Sequence, residues 1–204
     1  VPVEKLLEGI SRFQKRIYPK HQQLFEKLAA GQRPEVLFIT CADSRIDPSL
    51  LTQTKPGELF ICRVIGNIVP PYPQTIGGVS ATIEYAIGIL RVPIVIVCGH
   101  TDCGVIRGAL NPEPLAAYPN VTSWLRHAKI EHRTAEPSEE FLLKLTERNV
   151  VGQLENLRCH PAVAARLHED DFLLQGWVYH IGPGIVTAYD EQTGEFRPLG
   201  LTNE

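Results

Sequence analysis

Nowhere in this 204-residue chain does an apolar run approach the roughly 20 uninterrupted residues that a membrane-spanning helix needs. Neither sign of charge dominates: 20 basic and 23 acidic residues give a net charge of -3, which recommends neither nucleic acid nor an anionic membrane as a partner. Val1 to Lys5 lack the basic segment and apolar stretch of a signal peptide, and a start on Val rather than Met suggests a trimmed chain. Cysteine is sparse as well. The five, at positions 41, 62, 98, 103 and 159, are odd in number and widely spaced. That pattern argues against a disulfide framework and favours free thiols or metal ligands in a cytosol-like compartment. There is no internal repeat, low-complexity run or interdomain linker. The expectation is one domain over 1–204, with a helical arm at 1–31 and an α/β core at 32–204.

What is present has two textures. Val3, Leu6, Leu7, Ile10, Phe13 and Ile17 recur at helical spacing until Pro19, and Leu24, Phe25 and Leu28 mark a second helix stopping at Gly31. Then come short continuous apolar runs at Val36–Thr40, Leu59–Ile65 and Ile94–Cys98, which suit strands buried on both faces of a parallel sheet. Helical spacing over Gly77–Leu90 separates the last two runs. Pro112, Pro114 and Pro119 read as an exposed loop. Helices are expected over Trp124–His132 and Glu139–Cys159, then strands over Asp171–His180 and Ile185–Tyr189, joined at Gly182-Pro183-Gly184. The predicted architecture is a mostly parallel sheet of four to five strands flanked by helices.

The chemistry-bearing residues sit at predicted strand ends, where open α/β sheets bind ligands. Cys41 follows the first run, in Cys41-Ala42-Asp43-Ser44-Arg45. The third run ends in Cys98-Gly99-His100-Thr101-Asp102-Cys103-Gly104. Zinc accepts thiolate sulfur and imidazole nitrogen, and a catalytic zinc keeps three protein ligands and one open position. Gly99 and Gly104 would let the backbone bend on either side of the His-x-x-Cys pair. A zinc there would lower the pKa of bound water and make hydroxide available near neutral pH. Taken singly, a Cys after a strand is usually a small buried hydrophobe. Together, Cys41, His100 and Cys103 argue for an open three-ligand site rather than a zinc finger. Asp43 and Arg45 can bridge, keeping the carboxylate ionised beside the metal, where it could also serve as a fourth ligand. Cys62 and Cys98 read as core thiols, Cys159 as exposed, and His21, His127, His132, His160, His168 and His180 as ordinary surface or helix positions.

These motifs, with Gly66-Asn67-Ile68-Val69-Pro70-Pro71-Tyr72 and Gly176-Trp177-Val178-Tyr179, resemble the β-class carbonic anhydrases over nearly the whole chain. The resemblance implies attack of zinc-bound hydroxide on carbon dioxide, with one zinc per subunit on Cys41, His100 and Cys103 and an Asp43–Arg45 dyad beside it. It implies a carbon dioxide pocket of Phe60, Ile65 and Tyr85 with Gly104, and Gln32 reaching across a dimer interface. The family has a second type that closes its zinc with the dyad Asp and holds bicarbonate with a Trp three residues before the Cys. Phe38 stands there, which favours the open type, although Arg63 and Tyr179 match the other members of that bicarbonate site. Val64 and Ala42 depart from the family's usual Asn and Ser. The resemblance further implies a homodimer or larger homo-oligomer and a cytoplasmic setting, and leaves a carboxysome and its scaffold protein open as location and partner. Hydrolysis of carbonyl sulfide or carbon disulfide and an inactive docking module are the competing readings.

Overall fold

The computed structural model describes residues 1–73, 77–128, 130 and 137–200. Residues Val1–Arg33 form one compact unit and the chain from Pro34 a second. In the first, α1 (Val3–Arg12) runs on through a π-type turn, Phe13–Ile17, and a 3-10 turn, Tyr18–His21, to α2 (Gln22–Ala29). Pro19 lies at the start of the 3-10 turn, where its missing N–H costs nothing. Phe13, Tyr18 and Phe25 make a small aromatic cluster, with ring centroids 5.4–6.2 Å apart. The apolar stripe of α1 (Leu6, Leu7 and Ile10) is exposed.

The second unit is built on a six-stranded sheet of order β2-β1-β3-β4-β5-β6. Its strands are β1 (Val36–Thr40), β2 (Leu59–Arg63), β3 (Ile94–His100), β4 (Leu173–His180), β5 (Ile185–Asp190) and β6 (Glu195–Leu199). Pairing is parallel from β2 through β4 and antiparallel from β4 through β6. The sequence reading lacked β6. Its Glu-Phe-Arg-Pro-Leu is charged and carries Pro198, a composition tolerated only at a sheet edge.

The helices of this unit are α3 (Pro48–Thr52), α4 (Gly78–Glu84), α5 (Gly104–Leu110), α6 (Pro119–Leu125), α7 (Glu139–Arg158) and α8 (Pro161–Ala164). A π-type turn, Tyr85–Ile89, prolongs α4. Pro119 opens α6 and Pro114 lies in a single 3-10 turn, Glu113–Leu115, so the proline-marked segment is a loop with one helical turn that gives way to a helix at its last proline. The expected helix over Trp124–His132 ends at Leu125, and residues 129, 131 and 132 lie outside the described residues. Ser138 caps α7 by accepting from Phe141 N–H.

Successive side chains of β1 enter opposite cores. Leu37 and Ile39 join Val95 and Val97 on one face, and Phe38 joins Ile96 and Cys98 on the other. This two-sided burial explains the unbroken apolar runs. Gly99 does not bend the chain as expected; it continues β3. A Cβ there would sit 2.8 Å from Val150 Cγ2, and one at Gly176 on β4 2.8 Å from Val150 Cγ1. The two glycines let α7 approach the sheet directly under the strand that ends in His100.

Candidate active site

β1 and β3 are neighbours, with Thr40 level with Cys98, and the chain leaves β1 for β2 on the opposite side. The crevice beyond their carboxyl ends is therefore the topological switch point of the sheet. Cys41 lies one residue past β1, His100 is the last residue of β3, and Cys103 caps the start of α5. Asp102, with φ of 57°, supplies the turn between His100 and Cys103.

The three candidate donor atoms all lie within 4.8 Å of one another, and all three residues are buried. The Cys41 and Cys103 sulfurs are 4.0 Å apart. Two thiolates on one tetrahedral zinc, each at about 2.3 Å, would stand about 3.8 Å apart. His100 Nδ1 donates to Thr101 O at 2.9 Å, which fixes the ring and leaves Nε2 as the free donor. Nε2 is buried and has no hydrogen-bond partner in the described structure. An orphaned buried imidazole nitrogen converging with two thiols fits a soft divalent cation.

Ionisation at the site points the same way. The Cys103 thiol, then His100 and the Gly66 N–H at 3.3 Å, stabilise a Cys41 thiolate and hold its pKa well below the usual thiol range against the opposing effect of burial. That thiolate, with burial, holds the Cys103 proton on. A second thiolate beside the first calls for a cation.

Asp43 stands on the solvent side of this set, its Oδ2 3.8 Å from His100 Nε2. Arg45 grips it with two parallel bonds, Nε to Oδ1 at 3.0 Å and Nη2 to Oδ2 at 2.8 Å. Its own N–H adds a bond to Oδ1 at 2.9 Å. The Arg45 hydrogen bonds hold the Asp43 carboxyl far below the usual carboxylate range. Arg45 in turn donates Nη1 to Asp102 Oδ2 and Nη2 to Asp102 O, each at 2.9 Å, and Asp102 Oδ1 accepts from Arg107 Nε at 2.6 Å. Asp102 and Arg107 were not singled out from sequence; the charged residue inside the His-x-x-Cys spacing was the available signal.

A cleft of about 340 Å³ opens beside Cys41, Asp43 and Cys103, walled by Ile65, Val105, Leu115, Val121 and Leu125 with Gly104. A Cβ on Gly104 would meet nothing within 4 Å. Phe60 and Tyr85 do not line this cleft; they stack on each other, centroids 6.0 Å apart. Gln32 is exposed just before β1. Phe38 is fully buried and meets Trp177 edge-on at 6.0 Å. Arg63 donates to three carbonyls of the Asp43 loop: Cys41 O at 3.4 Å, Asp43 O at 2.6 Å and Ile46 O at 2.7 Å. His160 departs from the sequence reading: it is fully buried, its Nε2 2.9 Å from Pro70 O.

Fold and site together define an α/β protein with a buried Cys-His-Cys cluster, able to hold a metal ion, at the switch point of its sheet. The sequence model of the carbonic anhydrase family matches residues 36–186. A carbonic anhydrase of Pseudomonas aeruginosa is 44% identical over 199 residues, covering 95% of this chain and 90% of the relative. One from Synechocystis is 40% identical over 201 residues, covering 95% and 73%. The solved β-carbonic anhydrase CcaA superposes with a TM-score of 0.91 at 39% identity, covering 97% of this chain and 99% of that one. The chain belongs to the carbonic anhydrase family, in its β class.

Proposed function

We propose that this chain hydrates carbon dioxide reversibly to bicarbonate and a proton, with zinc on Cys41, His100 and Cys103. The observation that carries the reading is the unpartnered His100 Nε2, buried and converging with two thiols beside a pinned carboxylate. Zinc held there supplies Lewis acidity and a nucleophile derived from water near neutral pH.

The remaining work falls to side chains. Asp43, kept ionised by Arg45, can only accept hydrogen bonds, so it orients a donor next to the metal instead of storing a proton. The apolar cleft wall suits a gas with no hydrogen-bond donors and limits competing water. Gly104 leaves room for substrate against the first turn of α5. Gln32, Phe60 and Tyr85 are assigned to the cleft of a second copy, because Phe60 and Tyr85 do not line the cleft of their own chain. A homodimer is then the smallest complete enzyme. Phe38 in place of Trp supports the open type of site. A cytoplasmic setting, and docking to a carboxysome scaffold, extend the proposal by resemblance alone; capture with purified scaffold protein tests the second.

The test is stopped-flow hydration of carbon dioxide with metal analysis on the same sample. About one zinc per chain is expected, with activity rising from about pH 6.5 to about pH 9, and lost in Asp43→Ala with zinc retained. Full zinc occupancy without hydration at any pH sinks the reading.

A further inference from the structure

Cys41 is held by more than its place after β1. The turn Ile65–Asn67 lies against it, and Gly66 donates its N–H to Cys41 Sγ at 3.3 Å. That turn has little freedom of its own. Gly66 has φ of 69°, and a Cβ there would lie 2.7 Å from Val105 Cγ1. Val64 N–H donates to Thr40 O at 2.9 Å and Asn67 N–H to Val64 O at 3.0 Å. The two carbonyls that flank the donating amide are each taken by a side chain from a different helix. Trp124 Nε1 of α6 donates to Ile65 O at 3.0 Å, and Asn149 Nδ2 of α7 donates to Gly66 O at 3.1 Å.

The peptide plane that carries the Gly66 N–H is the one whose carbonyl is Ile65 O. A donor on that carbonyl fixes the plane, and with it the direction of the N–H aimed at sulfur. A second donor, on Gly66 O, fixes the next plane. A hydrogen bond to a thiolate draws electron density from sulfur, so the plane's tilt sets how much charge Cys41 gives to a bound metal.

We propose that Trp124 is a positioning residue: its indole N–H, with Asn149, aims the Gly66 amide at Cys41 and so tunes that thiolate as a metal donor. The proposal rests on the assignment of Cys41 as a ligand. It does not require that the bound metal hydrate carbon dioxide.

The test uses the protein loaded with cobalt(II), whose sulfur-to-metal charge-transfer absorption reports the donor energy of its thiolates, and competition with a chelator for zinc. Trp124→Phe keeps an aromatic ring beside His127 but loses the N–H. Its charge-transfer band is expected to move to lower energy, as the thiolate keeps more of its charge, while the loss of a fixed sulfur position lets zinc go about tenfold more readily. Thr122→Val serves as control, since it removes a bond inside the same segment, Thr122 Oγ1 to Leu115 O at 2.9 Å, without touching the turn. It should leave the band where the wild type has it. If Trp124→Phe fails to fold, Asn149→Ser carries the test with the same expected shift. A wild-type band in the foldable variant, or an equal shift in Thr122→Val, overturns the proposal. Wild-type protein that binds cobalt but hydrates no carbon dioxide would refute the proposed function and leave this inference standing.

Discussion

Gln153 puts two opposed effects in one buried side chain. It is fully buried in α7, yet all of its amide capacity is used. Oε1 accepts from Val69 N–H at 2.8 Å and from Asn156 Nδ2 at 3.2 Å, and Nε2 donates to Asn149 Oδ1 at 2.9 Å and to His127 O at 3.2 Å. In Gln153→Leu, burial of an apolar side chain of similar size contributes about 2 kcal/mol in favour of folding. Against this, the Val69 N–H and the Asn149 carbonyl lose partners inside the core, at about 1–3 kcal/mol each. The His127 carbonyl, nearer the surface, adds less. The polar loss wins, and the variant should be less stable by about 2 kcal/mol, about 4–8 °C in Tm for a chain of this length. Urea unfolding at fixed free zinc measures it, with an unchanged m-value showing that the same two states are compared. Adding Asn149→Ala removes one orphaned acceptor, so the double variant should fall short of additivity by about 1 kcal/mol. A Gln153→Leu protein as stable as the wild type, or more so, would refute the view that this face of α7 is fastened by its amides.

Two further outcomes follow from packing and burial. Gly99→Ala should cost about 1–3 kcal/mol, because its Cβ would stand 2.8 Å from Val150 Cγ2 and 3.3 Å from Thr146 Cγ2, and Val150→Ala in the same chain should remove most of that cost. Additive effects in the urea-measured double-variant cycle would contradict direct contact. Burial holds the Glu147 carboxyl above the usual carboxylate range, with Lys144 opposing weakly. The proton is then favoured by the folded state, so the stability contributed by protonated Glu147 is full below the unfolded pKa of about 4.3 and is lost as pH rises through the higher folded value. Glu147→Gln should gain stability over the wild type near pH ~8, the gain shrinking toward pH ~4; equal midpoints at both pH values would show that burial does not perturb the group.

The sequence reading succeeded where one physical rule governs. β1 and β3 are buried on both faces, so their residues read as continuous apolar runs, and the Cys41 and His100 motifs fall at their ends as the sheet rule requires; β2, at the sheet edge with Ile61 exposed, reads alike without that burial. It fell short where the determinant is a partner distant in the chain. Asn149, Gln153 and Asn156 share one stripe of α7, with His160 just past its end, yet sequence alone cannot tell a polar stripe facing water from one spent on the backbone of residues 66–70. Here Asn156 Nδ2 reaches Val69 O at 2.8 Å, and the other three hold Gly66 O, Val69 N and Pro70 O. Gly99 was read as a hinge because glycine before a ligand suggests a bend, while its role depends on Val150, some fifty residues on. α3 could have been found. Asp47 followed by Pro48 is a cap and first-turn signal, and Asp47 Oδ1 accepts from Leu50 N–H at 2.8 Å.

The charges around Cys41 and Asp43 form an alternating series rather than a pair. Asp43, Arg45, Asp102, Arg107 and Glu139 succeed one another through contacts of 2.6–3.4 Å. Each arginine stands between two carboxylates, so no member is left to neutralise a metal held at Cys41, His100 and Cys103. Two thiolates and a divalent cation would balance without it. For the Asp43 carboxylate to leave Arg45 and join the donor set, both bonds from the guanidinium fork must break, and a third negative charge would be added to a centre that two thiolates and a divalent cation would already leave neutral. Arg63 restrains the same loop from beneath through three backbone carbonyls. The loop that carries Cys41 and Asp43 is thus tied at its backbone by one arginine and at its carboxylate by another, and bringing Asp43 onto a metal held at Cys41 would require both to yield.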